Sequence, residues 1–393
     1  MNALASTAQR LVSAPLHPAP LHDAATPLDS AHNAQPPAGI VLAVRTPWFD
    51  ATACAGHRTV RWEDGVRTGM DPMTIDTHHD LASVTKVVGT TTALMRLVSD
   101  RIVDLDAEVH RYLPGFRGGG RESVTVRDLL LHRGGLWEWY PLYIPAGSPE
   151  AAHRFVEELP LRYRPREERH YSDLGFMLLG RVVASTTGLS LEQAVSELVT
   201  RPLGLDSTRY ATPAGEIVAT GARDDRVEIT MVDSGQPYPV PHSSDDFAGW
   251  RREPVHAQVA DGNAFHAFGG VCGHAGLFST IPDLLRFARV LSRYREYDAL
   301  VRPEVAREFF APGPDEAQAL GFRRYRLELP GETVTVLGHP GYVGCAVGFV
   351  PDRGIALALA SNRLLVEGTP TGGEALWHEL LRTTATEIEG MSG

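Results

Sequence analysis

Ser83-Val-Thr-Lys86, inside Leu81-Ala-Ser-Val-Thr-Lys-Val-Val88, is the stretch on which the reading of the whole chain turns. From Ser83 onward Val84, Val87, Val88, Leu94, Leu97 and Val98 recur at spacings that predict a mostly buried helix. A three-residue separation at the start of a helix puts the Ser83 and Lys86 side chains on one face, about a turn apart. A serine hydroxyl is a weak nucleophile until a neighbouring base takes its proton. A lysine amine serves when burial and nearby cations lower its pKa from about 10.4. The first backbone N–H groups of such a helix favour developing negative charge. Of the 37 basic residues in this 393-residue chain, Lys86 is the single lysine. Every other one is an arginine, whose guanidinium stays protonated and makes no base. A serine three positions before a lone lysine arises by chance about once in twenty, so the spacing needs support from elsewhere.

Working outward, GIVLAVR (40–45 at its core) and RTVRW (58–62) read as strands on the N-terminal side. On the other side, VTVRDLLLHRGGL (124–136) reads as a helix stopped by Gly134-Gly135. An aromatic loop follows, in which Trp137, Trp139, Tyr140 and Tyr143 either line a pocket for an acyl or aromatic group or pack the loop itself. Helical runs cover Leu174–Ser185, Leu191–Val199 and 279–294. Residues 211–265 lack periodicity, and a loop of that length usually covers or lines a site. The chain closes with strands at 333–338, 344–351 and 354–362 and a helix near 372–386. Strands at both ends around a helical middle point to an α/β domain with a helical insertion. The expected boundaries are an N-terminal arm over 1–37, an α/β domain from 38–82 and 266–393, and a helical inserted domain over 83–265. The active site is expected in the cleft between the last two.

Composition narrows the partners. A net charge of −11 without basic clusters argues against nucleic acid and anionic membranes. No apolar run reaches the roughly 18 residues of a membrane span. Cys54, Cys272 and Cys345 are far apart and odd in number, which fits free buried thiols in a reducing compartment. The N-terminal MNALASTAQRLVSAPLHPAP has no unbroken apolar core before a cleavage-like site, so a cytoplasmic start is expected. The 16 histidines show no HExxH pattern, so no metal and no cofactor is expected. Gly118-Gly119-Gly120 reads as a turn, and no serine has a GxSxG context.

Two further elements complete the pattern: Tyr171-Ser172-Asp173 before a helix, and His339-Pro340-Gly341-Tyr342 at the edge of a C-terminal strand. With SVTK they resemble, in order, the three elements of the serine β-lactamase and penicillin-binding superfamily: SxxK, Tyr-x-Asn, and Lys-Thr-Gly or His-x-Gly. The likeness is to its class C β-lactamase and family VIII carboxylesterase branch. It extends to TVRDLLLHRGGL, YSDLGFMLLGRVV, RPLGLDSTRY and GGVCGHAGLFSTIPDLLRF, from about residue 38 to the C-terminus.

The resemblance implies an antiparallel sheet flanked by helices with a mostly helical inserted domain. It implies that Ser83 forms an acyl-enzyme, that Lys86 and Tyr171 jointly shuttle its proton, and that the Ser83 and Tyr342 amides form the oxyanion hole. His339 would stand across the cleft near Tyr171, and His132 and His274 would hold supporting hydrogen bonds. Two departures bear on substrate. Asp173 replaces the family's asparagine and, ionised, donates no amide hydrogen bond; it would instead hold Lys86 or accept from a substrate amine. His-Pro-Gly replaces Lys-Thr-Gly and loses a cation and a hydroxyl that grip a β-lactam carboxylate. The expected function is acyl transfer from a small-molecule ester or amide donor, to water as in a carboxylesterase or to an amine or alcohol as in transacylases of antibiotic biosynthesis. The alternatives are a β-lactamase or D-amino-acid peptidase, and, of another class, a sensor module that acylates without turnover.

Overall fold

In the computed structural model, which describes residues 3–14, 16, 34–64, 66–211, 215–297 and 300–392, an antiparallel sheet of six strands forms the frame. Its strands are β1 (Gly39–Arg45), β2 (Asp50–Gly56), β3 (Arg323–Leu329), β4 (Glu332–Pro340), β5 (Ala346–Val350) and β6 (Ile355–Ser361). They lie in the order β3-β4-β5-β6-β1-β2. Ile40 faces Ser361 and Arg45 faces Ala356, so the first strand of the chain is zipped to the last.

Alternation along the strands decides the two faces. Ile40, Leu42 and Val44 join Ile355, Leu357, Leu359 and Trp377 in one core. Val41, Ala43, Ala356, Ala358 and Ala360 belong to the other. Helices α1 (Ala3–Ser13) and α3 (Gly373–Ser392) cover the first face and α2 (Ile281–Ser292) the second. This is the antiparallel sheet flanked by helices that the resemblance implied. The first described part of the expected arm is helix α1. Leu4, Thr7, Ala8 and Leu11 follow helical spacing and bury against the sheet, and Ala3 N donates to Glu387 Oε1 at 2.7 Å. Residues 17–33 of that arm lie outside the described residues.

Three local differences have physical reasons. The buried helix after Ser83 opens with a π-helical turn, Lys86–Thr91, and becomes α-helical only over Thr92–Ser99. The helix expected over 124–136 covers Val126–Leu130; a Thr125/Asp128 capping box starts it, and His132 at φ 56° ends it before the two glycines. Strand β3 escaped notice because its sequence, Arg-Arg-Tyr-Arg-Leu-Glu-Leu, alternates charge with apolar residues, as an edge strand half in water does.

The aperiodic segment is ordered by polar contacts. It contains a helix, Arg226–Ser234, and a strand pair, Thr220–Ala222 with Val255–His256. The buried Asp225 carboxylate accepts from Arg251 Nε and Nη2 at 2.9 and 2.6 Å and meets His266 Nε2 at 3.0 Å. A small sheet, His79–Asp80 with Leu277–Ser279 and then Arg209–Tyr210, carries residues 274–279 alongside the turn that holds Ser83. Among the described residues no single helix is long and apolar enough to cross a membrane.

Candidate active site

Ser83 stands at the corner between the short strand His79–Asp80 and the buried helix. Ala82 makes the corner with φ 43°, a left-handed conformation that costs a residue with a Cβ about 1–3 kcal/mol. Asp80 Oδ1 accepts from Ala82 N at 2.8 Å and so supports the turn. The helix then closes on itself, with Val84, Thr85 and Lys86 N donating to Leu81, Ala82 and Ser83 O at 2.9, 3.0 and 3.0 Å. Leu81, Ala82, Val84, Thr85 and Lys86 are buried, whereas Ser83 is only half-buried.

Lys86 is fully buried and its ammonium is at the centre of the cluster. Nζ donates to Ser83 Oγ at 2.8 Å and to the His274 carbonyl at 3.3 Å. It pairs with Asp173 Oδ1 at 2.6 Å, a close ion pair lying off ordinary hydrogen-bond direction. It also stands 5.0 Å from the Tyr171 ring and 5.8 Å from that of Phe176. Burial alone would lower the pKa of this amine, but the Asp173 carboxylate and the Tyr171 hydroxyl outweigh it and push the value up to about 12. The depressed pKa expected of a lysine base is therefore not found. Among the described residues no cation offsets Asp173 at Lys86, and the resting side chain is an ammonium that donates to Ser83.

Tyr171 is walled by two imidazoles. The His132 ring lies 4.6 Å and the His339 ring 5.7 Å from the Tyr171 ring. His132 Nδ1 accepts from Ser172 N at 3.0 Å, and its carbonyl accepts from His170 N at 2.9 Å, so it braces the loop carrying Tyr171 from both ends. His339 Nδ1 donates to Pro340 O at 2.7 Å. Burial first, then the cations Arg323 and Lys86, hold His339 neutral. Burial and Lys86 do the same for His132. Arg323 lies 5.3 Å from the Tyr171 ring and is paired with Glu374 at 2.6 Å.

The end of β4 reaches the nucleophile turn through a glycine. A Cβ on Gly341 would run into the Leu81 carbonyl, so only glycine lets the 339–342 segment lie against Leu81. Tyr342 is held there by its carbonyl, which accepts from Arg363 Nε at 2.7 Å. Gly273 works the same way on the far side. A Cβ there would strike the Phe176 carbonyl and Gly180, so its absence lets 273–274 press on the helix Asp173–Thr187.

Three functional groups had weak signals in the sequence. His274 was expected to support the site, but its partner, Asp261, stands in the aperiodic segment; His274 Nε2 meets Asp261 Oδ1 at 3.0 Å. Despite burial, Asp261 raises the imidazole well above its ordinary pKa, and His274 in turn holds Asp261 at about 2. Asp80 follows His78-His79 in the sequence, and no local spacing marks the Ala82 and Ala260 amides that its carboxylate accepts from. The donor atoms of Asp173, Asp261 and His274 lie within 4.8 Å of one another, the only geometric candidate for a metal among the described residues. Their charges are already matched, Asp173 to Lys86 and Asp261 to the imidazolium of His274.

The aromatic loop has other partners. Trp137 Nε1 donates to Pro160 O at 2.9 Å, and Tyr238 Oη receives Trp139 N at 2.9 Å. Tyr140 meets His242 Nε2 at 3.2 Å, and Tyr143 donates to Glu228 Oε2 at 2.8 Å.

The chain matches the family model described as Beta-lactamase over residues 50–380. It is 31% identical over 310 residues to an N-acetylmuramyl-L-alanine amidase of Bacillus subtilis (strain 168), covering 73% of this chain and 68% of the relative. Its fold is similar to a class C beta lactamase from Rhodobacter sphaeroides, at TM-score 0.61 and 19% identity over 88% of this chain and 95% of that one. It is also similar to EstCE1, described as a hydrolase with promiscuous acyltransferase activity, at TM-score 0.61 and 20% identity over 89% and 94% of the two chains.

Proposed function

The chain belongs to the Beta-lactamase family, whose relatives include serine hydrolases, and we propose that it transfers acyl groups from small esters or amides through an acyl-Ser83 intermediate. The observation that carries this reading is the half-exposed Ser83 hydroxyl, 2.8 Å from the ammonium of a fully buried lysine. Ser83 Oγ attacks the donor carbonyl, and the Ser83 and Tyr342 amides receive the developing oxyanion. An ammonium has no lone pair, so the Lys86–Tyr171 pair first gives up one proton to solvent, and in that form it takes the hydroxyl proton of Ser83. Asp173 holds Lys86 in place beside Ser83. The same proton leaves with the departing alcohol or amine. Water, an amine or an alcohol then takes the acyl group and returns a proton to the pair.

The substrate would lie in the cleft between the sheet end at 339–342 and the helical part within 83–265. The amidase name of the Bacillus relative supports amide donors, and the description of EstCE1 supports an acceptor other than water. β-Lactam hydrolysis is disfavoured because the neutral His339 offers no cation to a carboxylate. All three cysteines are unpaired, Cys272 and Cys345 buried but Cys54, against the expectation of buried thiols, exposed on an edge strand; free thiols support a reducing, cytoplasmic compartment.

The test incubates the protein with short activated and methyl esters, with and without a primary amine, beside Ser83→Ala. Acid product indifferent to amine marks a hydrolase; amide product rising at the expense of acid marks a transacylase. An adduct that forms once and persists marks a sensor and overturns turnover.

A further inference from the structure

We propose that Asp80 is a positioning residue for Ser83, coupling the nucleophile turn to the polar segment that carries Ala260 and Asp261. This rests on the acyl-Ser83 reading and adds a component to it. Both carboxylate oxygens are in use and both bonds go to backbone. Oδ1 accepts from Ala82 N at 2.8 Å, and Oδ2 accepts from Ala260 N at 2.7 Å. The first bond holds the one left-handed residue that aims Ser83, Ala82 at φ 43°. The second holds the residue before Asp261, whose carboxylate meets His274, whose carbonyl in turn receives Lys86. One side chain thus joins the two arms that set the Ser83–Lys86 distance. Asp80 is itself fixed on its short strand, paired with Leu277–Ser279, and its carbonyl receives the Cys345 thiol at 3.3 Å.

An ionised carboxylate accepts on both oxygens, whereas protonation adds a hydrogen that must be turned away from the N–H group on that oxygen. Burial and the nearby Asp261 charge raise Asp80 to about 6, opposed by the Ala260 and Ala82 N–H groups and by Arg251. Four groups around it stay fixed between pH 5 and 7.5. His79 is neutral with a pKa of about 3, Asp261 is ionised with one of about 2, and burial pushes the Cys345 thiol far above its ordinary value. Lys86, at about 12, stays charged.

The signature separates positioning from mere support of the fold. Protonating Asp80 as pH falls through about 6 disturbs the turn and lowers kcat. Stability moves the other way. A carboxyl whose folded pKa exceeds its unfolded value contributes stability that is present at low pH and lost as pH rises through the folded value. Activity from this group therefore falls toward pH 5 while its contribution to stability grows.

The experiment measures kcat, KM and Tm for a simple methyl or activated ester from pH 5 to 7.5, in wild type and Asp80→Asn. Wild-type kcat is expected to fall about tenfold from pH 7 to pH 5, following a single ionisation near 6, with KM within threefold and no drop in Tm. Asp80→Asn is expected to lose about 10²-fold in kcat at pH 7 and to show no limb near 6. The proposal is overturned by a flat wild-type profile, by an acid limb that survives in Asp80→Asn, or by loss of activity that tracks a falling Tm. Failure of the acyl-Ser83 reading looks different: no Ser83 adduct would form at any pH.

Discussion

The turn and helix that carry Ser83 and Lys86 and the polar segment from 215 to 266, joined to that turn through Asp80, are held together by opposite means. The first is a run of apolar side chains on a helical period, closed by bonds between near neighbours in sequence. The second owes its shape to ion pairs between distant residues, with Arg251 and His266 both on Asp225. A hydrophobic period forgives substitution, since many side chains share the burial. A buried carboxylate paired with a guanidinium and hydrogen-bonded to an imidazole does not, because removing it leaves the guanidinium unpaired in the interior. The catalytic segment is therefore expected to lose activity before stability when altered, and the polar segment to lose stability first.

That contrast can be broken in four places. Ser83→Ala is expected to reduce kcat by at least about 10⁴-fold while Tm stays within about 2 °C, measured by ester turnover and thermal unfolding. Residual turnover near wild type would remove Ser83 from the chemistry. Lys86→Arg keeps a positive charge but not the compact ammonium that meets Ser83, Asp173 and His274 together. A loss of roughly 10³-fold in kcat is expected. Asp225→Ala tests the other region, where leaving Arg251 and His266 without their carboxylate is expected to cost about 3–5 kcal/mol in denaturant unfolding. A change below about 1 kcal/mol there would erase the distinction between the regions.

A pH-dependent effect is expected at Glu228, whose Oε2 receives Tyr143 and whose Oε1 receives Gly262 N at 3.3 Å. Burial and the Asp261 charge raise its pKa from 4.5 to about 8, so it is largely protonated at pH 7. The sign follows: a folded value above the unfolded one gives stability at low pH that is lost as pH rises toward 8. Glu228→Gln is expected to change Tm little at pH 5 and to gain on the wild type up to about pH 8, levelling off beyond. A wild-type Tm that instead rises relative to the variant over that range would reverse the assignment.

The same contrast explains what the sequence makes legible. Ser83, Lys86, Tyr171, Asp173 and His339 can be picked out because they sit in short motifs beside strong helix or strand signals. The central strands are legible because Ile40–Val44 and Ile355–Ala360 are apolar on both faces. Helix α1 escapes because its stripe of Leu4, Ala8 and Leu11 is short and lies next to a stretch rich in proline. Asp80, Asp225 and Asp261 escape for a deeper reason. Their roles depend on which backbone amide or distant cation folds against them, and no local spacing encodes that choice. The charge state of Lys86 is hidden likewise, since a lysine beside a serine reads as a base until the Asp173 carboxylate is seen 2.6 Å away.

The most direct test of the central claim is to label the protein with a fluorophosphonate, map the modified peptide by mass spectrometry, and follow ester turnover in the same samples. One label per chain on Ser83, with activity falling in proportion to its occupancy, is the expected result. A label on another residue, or full turnover with Ser83 fully modified, would contradict it.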